Sequence, residues 1–237
     1  MTDKAAAQPV RAILFDIDGT LVDTTYLHTV AWSMAFDEQG THVPMAQIHR
    51  AIGMGSDKLL DHLLGPDRDL NDDDVIDAHS RRFSSHHGDL KALPGARELL
   101  KACADRDLRV GLASSAGKED LDALLAVLDS DEAITEVTGA SDVNATKPDP
   151  DMLVASLEKL GLEACDVLFV GDSVWDVEAA TRLDMRCIGV ECGGTSSAEL
   201  RKAGAVAVFK DPQDLLDHLN AILGPLQATT QTQVKFG

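Results

Sequence analysis

The chain has 237 residues, 44% of them hydrophobic, and 21 basic against 40 acidic side chains give a net charge of −19. That length and apolar content suit one α/β domain, or a core with a smaller second domain. The acidity argues against nucleic acid as a general partner, because a phosphate backbone needs basic surface. No apolar run approaches the roughly 18 residues of a spanning helix, so no membrane partner is expected. The opening MTDKAAAQPV has no apolar stretch and reads as a loose leader, and residues 227–237 read as a frayed polar tail. Four cysteines without CxxC spacing read as reduced thiols, not as zinc ligands. A cytoplasmic monomer or homodimer is the resulting expectation.

From Val10 to Asp16, VRAILFD is apolar on both faces and predicts a fully buried strand. Four helices follow with no strand between them. In TYLHTVAWSMAFDEQG, Leu27, Val30, Ala31, Met34 and Ala35 form the predicted buried stripe, and Asp23 is the expected cap. VPMAQIHRAIG starts near Pro44 and stops at Gly53; SDKLLDHLLG starts at a Ser56 cap and stops at Gly65. NDDDVIDAHSRRFSSHHG has an Asn71 cap with acids in its first turn, where the helix dipole favours them. After Leu93–Gly95 the rhythm changes to alternating helix and strand with short loops, ending in DPQDLLDHLNAIL. This alternation predicts an α/β fold: a Rossmann-like parallel sheet with helices on both faces, carrying an inserted all-α domain. The expected boundaries are 1–23 and 91–226 for the core and 24–90 for the helical insert.

In open parallel sheets, sites form beyond the carboxyl ends of the strands. ILF delivers Asp16 and Asp18; VGLA delivers Ser114 and Ser115; VLFV delivers Gly171 and Asp172, with Asp176 one turn into the next helix. Lys147 precedes the helix that Pro148 and Pro150 introduce. Carboxylates, hydroxyls and one lysine are thereby expected on a single edge. Two like charges two residues apart cost stability unless a cation or a reaction uses them. Hard oxygen ligands suit Mg²⁺, and the rest suits phosphoryl transfer. One carboxylate can attack phosphorus, a second can protonate the leaving oxygen, and a lysine and a hydroxyl can hold phosphoryl oxygens. Gly19 would permit a sharp turn whose backbone amides face the phosphate.

DIDGTLVDT, LASS, TKPDPD and GDSVWDVEAA resemble, in order, the four motifs of the haloacid dehalogenase superfamily of phosphohydrolases. The likeness runs from about Val10 to Leu223, and the helical insert resembles the cap of the phosphoglycolate phosphatase and β-phosphoglucomutase branch. It implies that Asp16 is the nucleophile and a metal ligand, and that Asp18 is the general acid/base with its backbone carbonyl on the metal. It implies that Ser114 binds a phosphoryl oxygen, that Lys147 pairs with Asp16 and phosphate, that Asp172 ligates Mg²⁺, and that Asp176 orients metal-bound water or Lys147. Thr20 completes the DGT form common among the superfamily's hydrolases, and Asp18 counts against dehalogenation. Ser114 can also cap a helix.

The cap is less informative. His28 stands where β-phosphoglucomutases carry a proton-moving histidine, and a packed helix residue reads equally well. AIGMGSDK (Ala51–Lys58) resembles the branch's substrate-specificity loop, although its glycines could simply end one helix before the next. Arg50 and Lys58 either reach an anionic substrate or are solvated surface; Trp32 and Trp175 read as packing, and His86 and His87 as a polar helix end. Lys118 either steadies phosphate from the loop after Ser114 or faces solvent. The expected activity is Mg²⁺-dependent hydrolysis of a small phosphorylated metabolite. The alternatives are a sugar phosphomutase and a non-catalytic phosphate-ligand binder. Ser56, where the mutases carry a cap arginine, and Gly171, where they carry a glutamate, count against the mutase.

Overall fold

The computed structural model describes residues 9–143 and 146–227. Residues 1–8 of the expected leader and 228–237 of the expected tail lie outside the described residues, while Gln227, read as the start of the tail, ends the last helix. The predicted first strand forms as β1 (Ala12–Asp16), and all five of its residues are buried. It lies at the centre of a parallel sheet with β2 (Arg109–Ala113), β3 (Glu136–Thr138), β4 (Val167–Gly171), β5 (Arg186–Val190) and β6 (Ala207–Phe209). The strand order is β3-β2-β1-β4-β5-β6, so the chain winds one way from β1 and the other way from β4. The crevice between β1 and β4 is the switch point where such sheets place their sites.

The two-residue period of a strand explains why helices cover both faces. Ile13 and Phe15 point to one side, where they join Val110, Leu112, Leu168 and Val170. There they meet α5 (Ala96–Ala104), α6 (Lys118–Leu128) and α10 (Pro212–Gln227) through Leu99, Leu124 and Leu219. Ala12 and Leu14 point to the other side, with Val167 and Phe169. That side is covered by α7 (Asp151–Leu160), α8 (Val174–Thr181) and α9 (Ser197–Ala203) through Leu153, Val177 and Leu200. Each fully buried large apolar side chain here is worth about 1.5–3 kcal/mol of transfer free energy.

Between β1 and α5 run the four expected helices: α1 (Thr25–Glu38), α2 (Met45–Ala51), α3 (Ser56–Leu64) and α4 (Asp72–Ser84). They carry an apolar cluster of their own around Trp32, Phe36, Ile48, Leu60 and Val75. Asn71 caps α4 as expected, its side-chain oxygen accepting from Asp73 N–H at 3.2 Å. Three local expectations are corrected. Thr24, not Asp23, occupies the N-cap position of α1, and Gly55, not Ser56, that of α3; no side-chain cap bond forms at either. The buried face of α1 is rotated from the predicted stripe. Ala31 and Ala35 are buried as predicted, but Val30 and Met34 are exposed, and Thr25, Thr29, Trp32 and Phe36 are buried. Thr29 can face inward because its Oγ1 donates to Thr25 O at 2.8 Å. Among the described residues no helix is long and apolar enough to cross a membrane.

Candidate active site

Asp16 is the last residue of β1, and Asp172 follows the last residue of β4, so adjacent strand ends bring two carboxylates together. The Ser173 cap then starts α8 and turns Asp176 back toward them; Asp176 Oδ2 accepts from Ser173 Oγ at 2.6 Å and from its N–H at 3.1 Å. Asp16, Asp172 and Asp176 are all buried, and each offers an oxygen within 4.8 Å of the others. Lys147 is buried beside them. Its ammonium donates to Asp16 Oδ1 and lies 2.7 Å from Asp176 Oδ1. Thr20 Oγ1 lies 3.2 Å from both Asp16 Oδ2 and Asp172 Oδ1 and bridges the two strand ends.

The electrostatics follow from crowding three acids around one base. Burial, reinforced by Asp176 and Asp18, raises Asp16 to about 7 against the pull of Lys147. Burial and the charges of Asp176 and Asp16 push Asp172 well above the carboxylate range. Burial works against the charge of Lys147, but Asp16 and Asp176 outweigh it and hold the ammonium above its ordinary value. The cluster thus has more negative charge than its lysine neutralises, and the donor set is all oxygen. Those two features fit a hard divalent cation. Glycines shape the cradle: a Cβ on Gly193 would lie 1.6 Å from Asp172 Oδ2, and one on Gly19 2.6 Å from it.

Asp18 faces away from this cluster, into the cavity under the helical insert. Ser114 Oγ donates to Asp18 Oδ2 at 3.1 Å, and His28 Nε2 lies 3.2 Å from Oδ1. Burial raises the Asp18 carboxyl, but the hydrogen bond and charge of His28, with bonds from Thr24 and Ser114, bring it below its ordinary value. The cavity measures about 100 Å³. Asp16, Asp18 and Lys147 form its floor, Ser115 stands at one side, and Trp32, Met54 and Ser56 belong to its roof.

The predicted residues therefore divide. Asp16, Asp18, Lys147, His28 and Ser115 meet at the cavity, and Ser114 holds Asp18 from behind. Asp172 and Asp176 complete the acidic cluster. Gly19 does not offer its amide to a ligand as expected: its N–H donates to Val22 O at 2.8 Å and Thr24 Oγ1 at 3.1 Å, closing the turn. Its positive φ of 76° serves that turn. The Thr20 hydroxyl is spent on the carboxylates. Lys118 stays outside the cavity, on the exposed surface of α6, where it pairs with Asp122 at 2.8 Å. Gly53 and Gly55 of the Ala51–Lys58 loop do more than end helices. A Cβ on either would strike the sheet domain, at Ser173 Oγ (2.6 Å) and Thr146 Cβ (2.1 Å).

The model of the haloacid dehalogenase-like hydrolase family matches residues 13–190. The chain belongs to this family. A phosphoglycolate phosphatase from Rhodospirillum rubrum is 33% identical over 220 residues, covering 88% of this chain and 90% of that protein. A hydrolase from Pseudomonas syringae has a TM-score of 0.84 at 34% identity, covering 89% of this chain and 98% of its own. A β-phosphoglucomutase from Clostridium difficile has a TM-score of 0.77, covering 91% of this chain and 97% of its own; at 20% identity that likeness concerns the fold alone.

Sequence reasoning missed three contributors to this hydrolase's site. His79 lies on α4, 51 positions from its partner, with its Nε2 3.1 Å from His28 Nδ1. Trp32 does more than pack, since it lines the cavity while stacking on His79 with centroids 4.1 Å apart. Asp120 forms part of the wall, accepting from His87 Nε2 at 2.8 Å. Each depends on how the helices pack, so no spacing within the chain announces it.

Proposed function

We propose that the protein is a Mg²⁺-dependent phosphatase that hydrolyses a small phosphate monoester through an aspartyl-phosphate on Asp16. The observation that carries this reading is the division of labour between the two first-motif aspartates. Asp16 is buried against Lys147 in the acidic cluster, while Asp18 reaches into the cavity, held by Ser114 and His28. Asp16, Asp172 and Asp176 would hold Mg²⁺, with the backbone carbonyl of Asp18 as a further ligand. Bound there, the ion would offset the cluster's surplus charge and that of the phosphoryl group.

The chain's own residues divide the remaining work. Asp16 attacks phosphorus in line with the departing alcohol. The Lys147 ammonium favours the ionised form of Asp16 against its burial and draws phosphoryl charge toward it. Asp18 must take up a proton as the substrate's negative charge arrives, against the pull of His28, and gives that proton to the leaving oxygen. It then takes a proton from the water that cleaves the aspartyl-phosphate, returning Asp16 to its starting state. The roof over the cavity excludes bulk water during both steps.

A sugar phosphomutase is the second reading, favoured by the contact between His28 and Asp18. Gly171 weighs against it. A Cβ there would lie 2.5 Å from the Asp176 side chain, so the position has no room for the glutamate that the mutases carry. The test is phosphate release from a panel of monoesters, with Mg²⁺ and with chelator, beside Asp16→Asn. The expected result is Mg²⁺-dependent release that falls at least about 10⁴-fold in the variant while its fold is kept. Retained activity in Asp16→Asn would refute the mechanism. Conversion of β-glucose 1-phosphate to glucose 6-phosphate without release would favour the mutase.

A further inference from the structure

The roof of the cavity carries information about the other half of the substrate. Trp32, Ile52, Met54 and Leu59 make it largely apolar, and Ser56, Ser80 and His79 add neutral polar groups. His79 is buried, and burial together with the neighbouring His28 holds its pKa well below 6.5, so it brings no positive charge. The charged group of the wall is an acid, Asp120.

Positive charge is committed elsewhere. The segment 24–90 contains five Lys and Arg residues, and each is paired away from the cavity. Arg50 pairs with Glu199 and Lys58 with Asp149, both on the sheet domain's surface. Arg68 pairs with Asp61 and Asp72, and Arg81 and Arg82 share Glu38. On the floor, Lys147 is engaged by Asp16 and Asp176. Both ring nitrogens of His28 are engaged, Nε2 by Asp18 at 3.2 Å and Nδ1 by His79 at 3.1 Å.

A leaving group with its own carboxylate would lose its hydration in this cavity and meet Asp120 with no cation to receive it. Desolvating a charge without a partner is strongly unfavourable. A hydroxyl in the same place would find serine and imidazole partners and keep its carbon atoms against Trp32 and Leu59.

We infer that the substrate is a phosphate monoester of a small uncharged alcohol, and that the cavity selects against a hydroxy-acid phosphate such as phosphoglycolate. The inference rests on the phosphatase reading and deepens it, departing from what the names of the relatives would lead one to expect. The step remains hydrolysis: water is consumed, the P–O bond to the alcohol breaks, and the alcohol leaves with one proton.

The test compares kcat/KM for 2-hydroxyethyl phosphate and 2-phosphoglycolate, which match in length and differ in a hydroxymethyl against a carboxylate. The expected result is a preference of at least about tenfold for hydroxyethyl phosphate, as an unpaired charge costs at least that much. Equal rates, or preference for phosphoglycolate, would overturn the inference while leaving the phosphatase reading intact. Release from neither ester, nor from p-nitrophenyl phosphate, would overturn the phosphatase reading and this inference with it. In Ser56→Arg, which places a cation in the roof, the ratio is expected to move toward phosphoglycolate by at least about tenfold. An unchanged ratio would mean that roof charge does not govern selection, against the inference.

Discussion

Replacing Lys147 by methionine removes the charge but keeps most of the volume, so it isolates what the ammonium does. Lys147 is 2% exposed, and its partners Asp16 and Asp176 are 5% and 1% exposed. Removing one partner of a buried pair costs about 3–5 kcal/mol, because the opposite charge is left unpaired in a poorly solvated place. For a chain of this size that is a fall in Tm of about 6–20 °C. The deficit should depend on pH. Burial has already raised Asp16 from 3.8 to about 7, and loss of the lysine raises it further. A carboxyl whose folded pKa lies above its unfolded value costs stability as pH rises from the unfolded to the folded value and no more beyond it, so wild type stops losing stability through Asp16 above about pH 7 while the variant goes on losing it. Lys147→Met should therefore lose more stability, relative to wild type, at pH 8 than at pH 5.5. His79, whose pKa burial lowers equally in both proteins, cancels in that difference. The assay is thermal and urea unfolding in chelator at both pH values. A Tm within about 2 °C of wild type at pH 8, or a deficit that grows on acidification, would refute the reasoning.

Mg²⁺ binding should weaken on acidification, because burial raises both Asp16 (to about 7) and Asp172 and each must give up its proton to the ion: below about pH 7 the apparent Kd is expected to rise at least about tenfold per pH unit. Calorimetric titrations between pH 5.5 and 8 check this, and a Kd that does not change would contradict it. Gly193→Ala should displace Asp172, whose Oδ2 would lie 1.6 Å from the new methyl group, and weaken Mg²⁺ binding about 10–100-fold with the fold retained. The same titration at pH 8 reads it, and unchanged affinity would mean the acidic cluster does not hold the ion. Lys118→Ala should leave kcat/KM within about twofold of wild type, since Lys118 is exposed and paired with Asp122. A larger loss would return Lys118 to the phosphate site.

The sheet and the acidic edge were legible because their signals are local. VRAILFD is apolar on both faces, as a central strand must be, and Asp16, Asp18 and Asp172 sit at fixed offsets from strand ends. Lys147 was placed on the same edge by its position before the helix that Pro148 and Pro150 introduce, its pairing with Asp16 was implied by resemblance, and the folded chain brings the two together across 131 positions. What was not legible depended on the angle or contact of packed helices. The stripe on α1 included Val30 and Met34 because side-chain hydrophobicity favours them, whereas the helix packs with Thr25 and Thr29 buried instead, and Thr29 satisfies its hydroxyl on the Thr25 carbonyl one turn back. His79 and Asp120 enter the cavity from α4 and α6, and no interval in the sequence connects them to Asp18. Gly19 was correctly read as a turn, but its amide closes that turn instead of facing a ligand.

The central claim is that phosphorus is bonded to Asp16 before it is bonded to water's oxygen. The stereochemistry at phosphorus tests it most directly, using a phosphorothioate ester made chiral at phosphorus with two oxygen isotopes and hydrolysed in water carrying the third. Two in-line displacements, the first by Asp16 and the second by water, predict inorganic thiophosphate with retained configuration. Inversion would mean a single displacement by water, and would contradict the role assigned to Asp16.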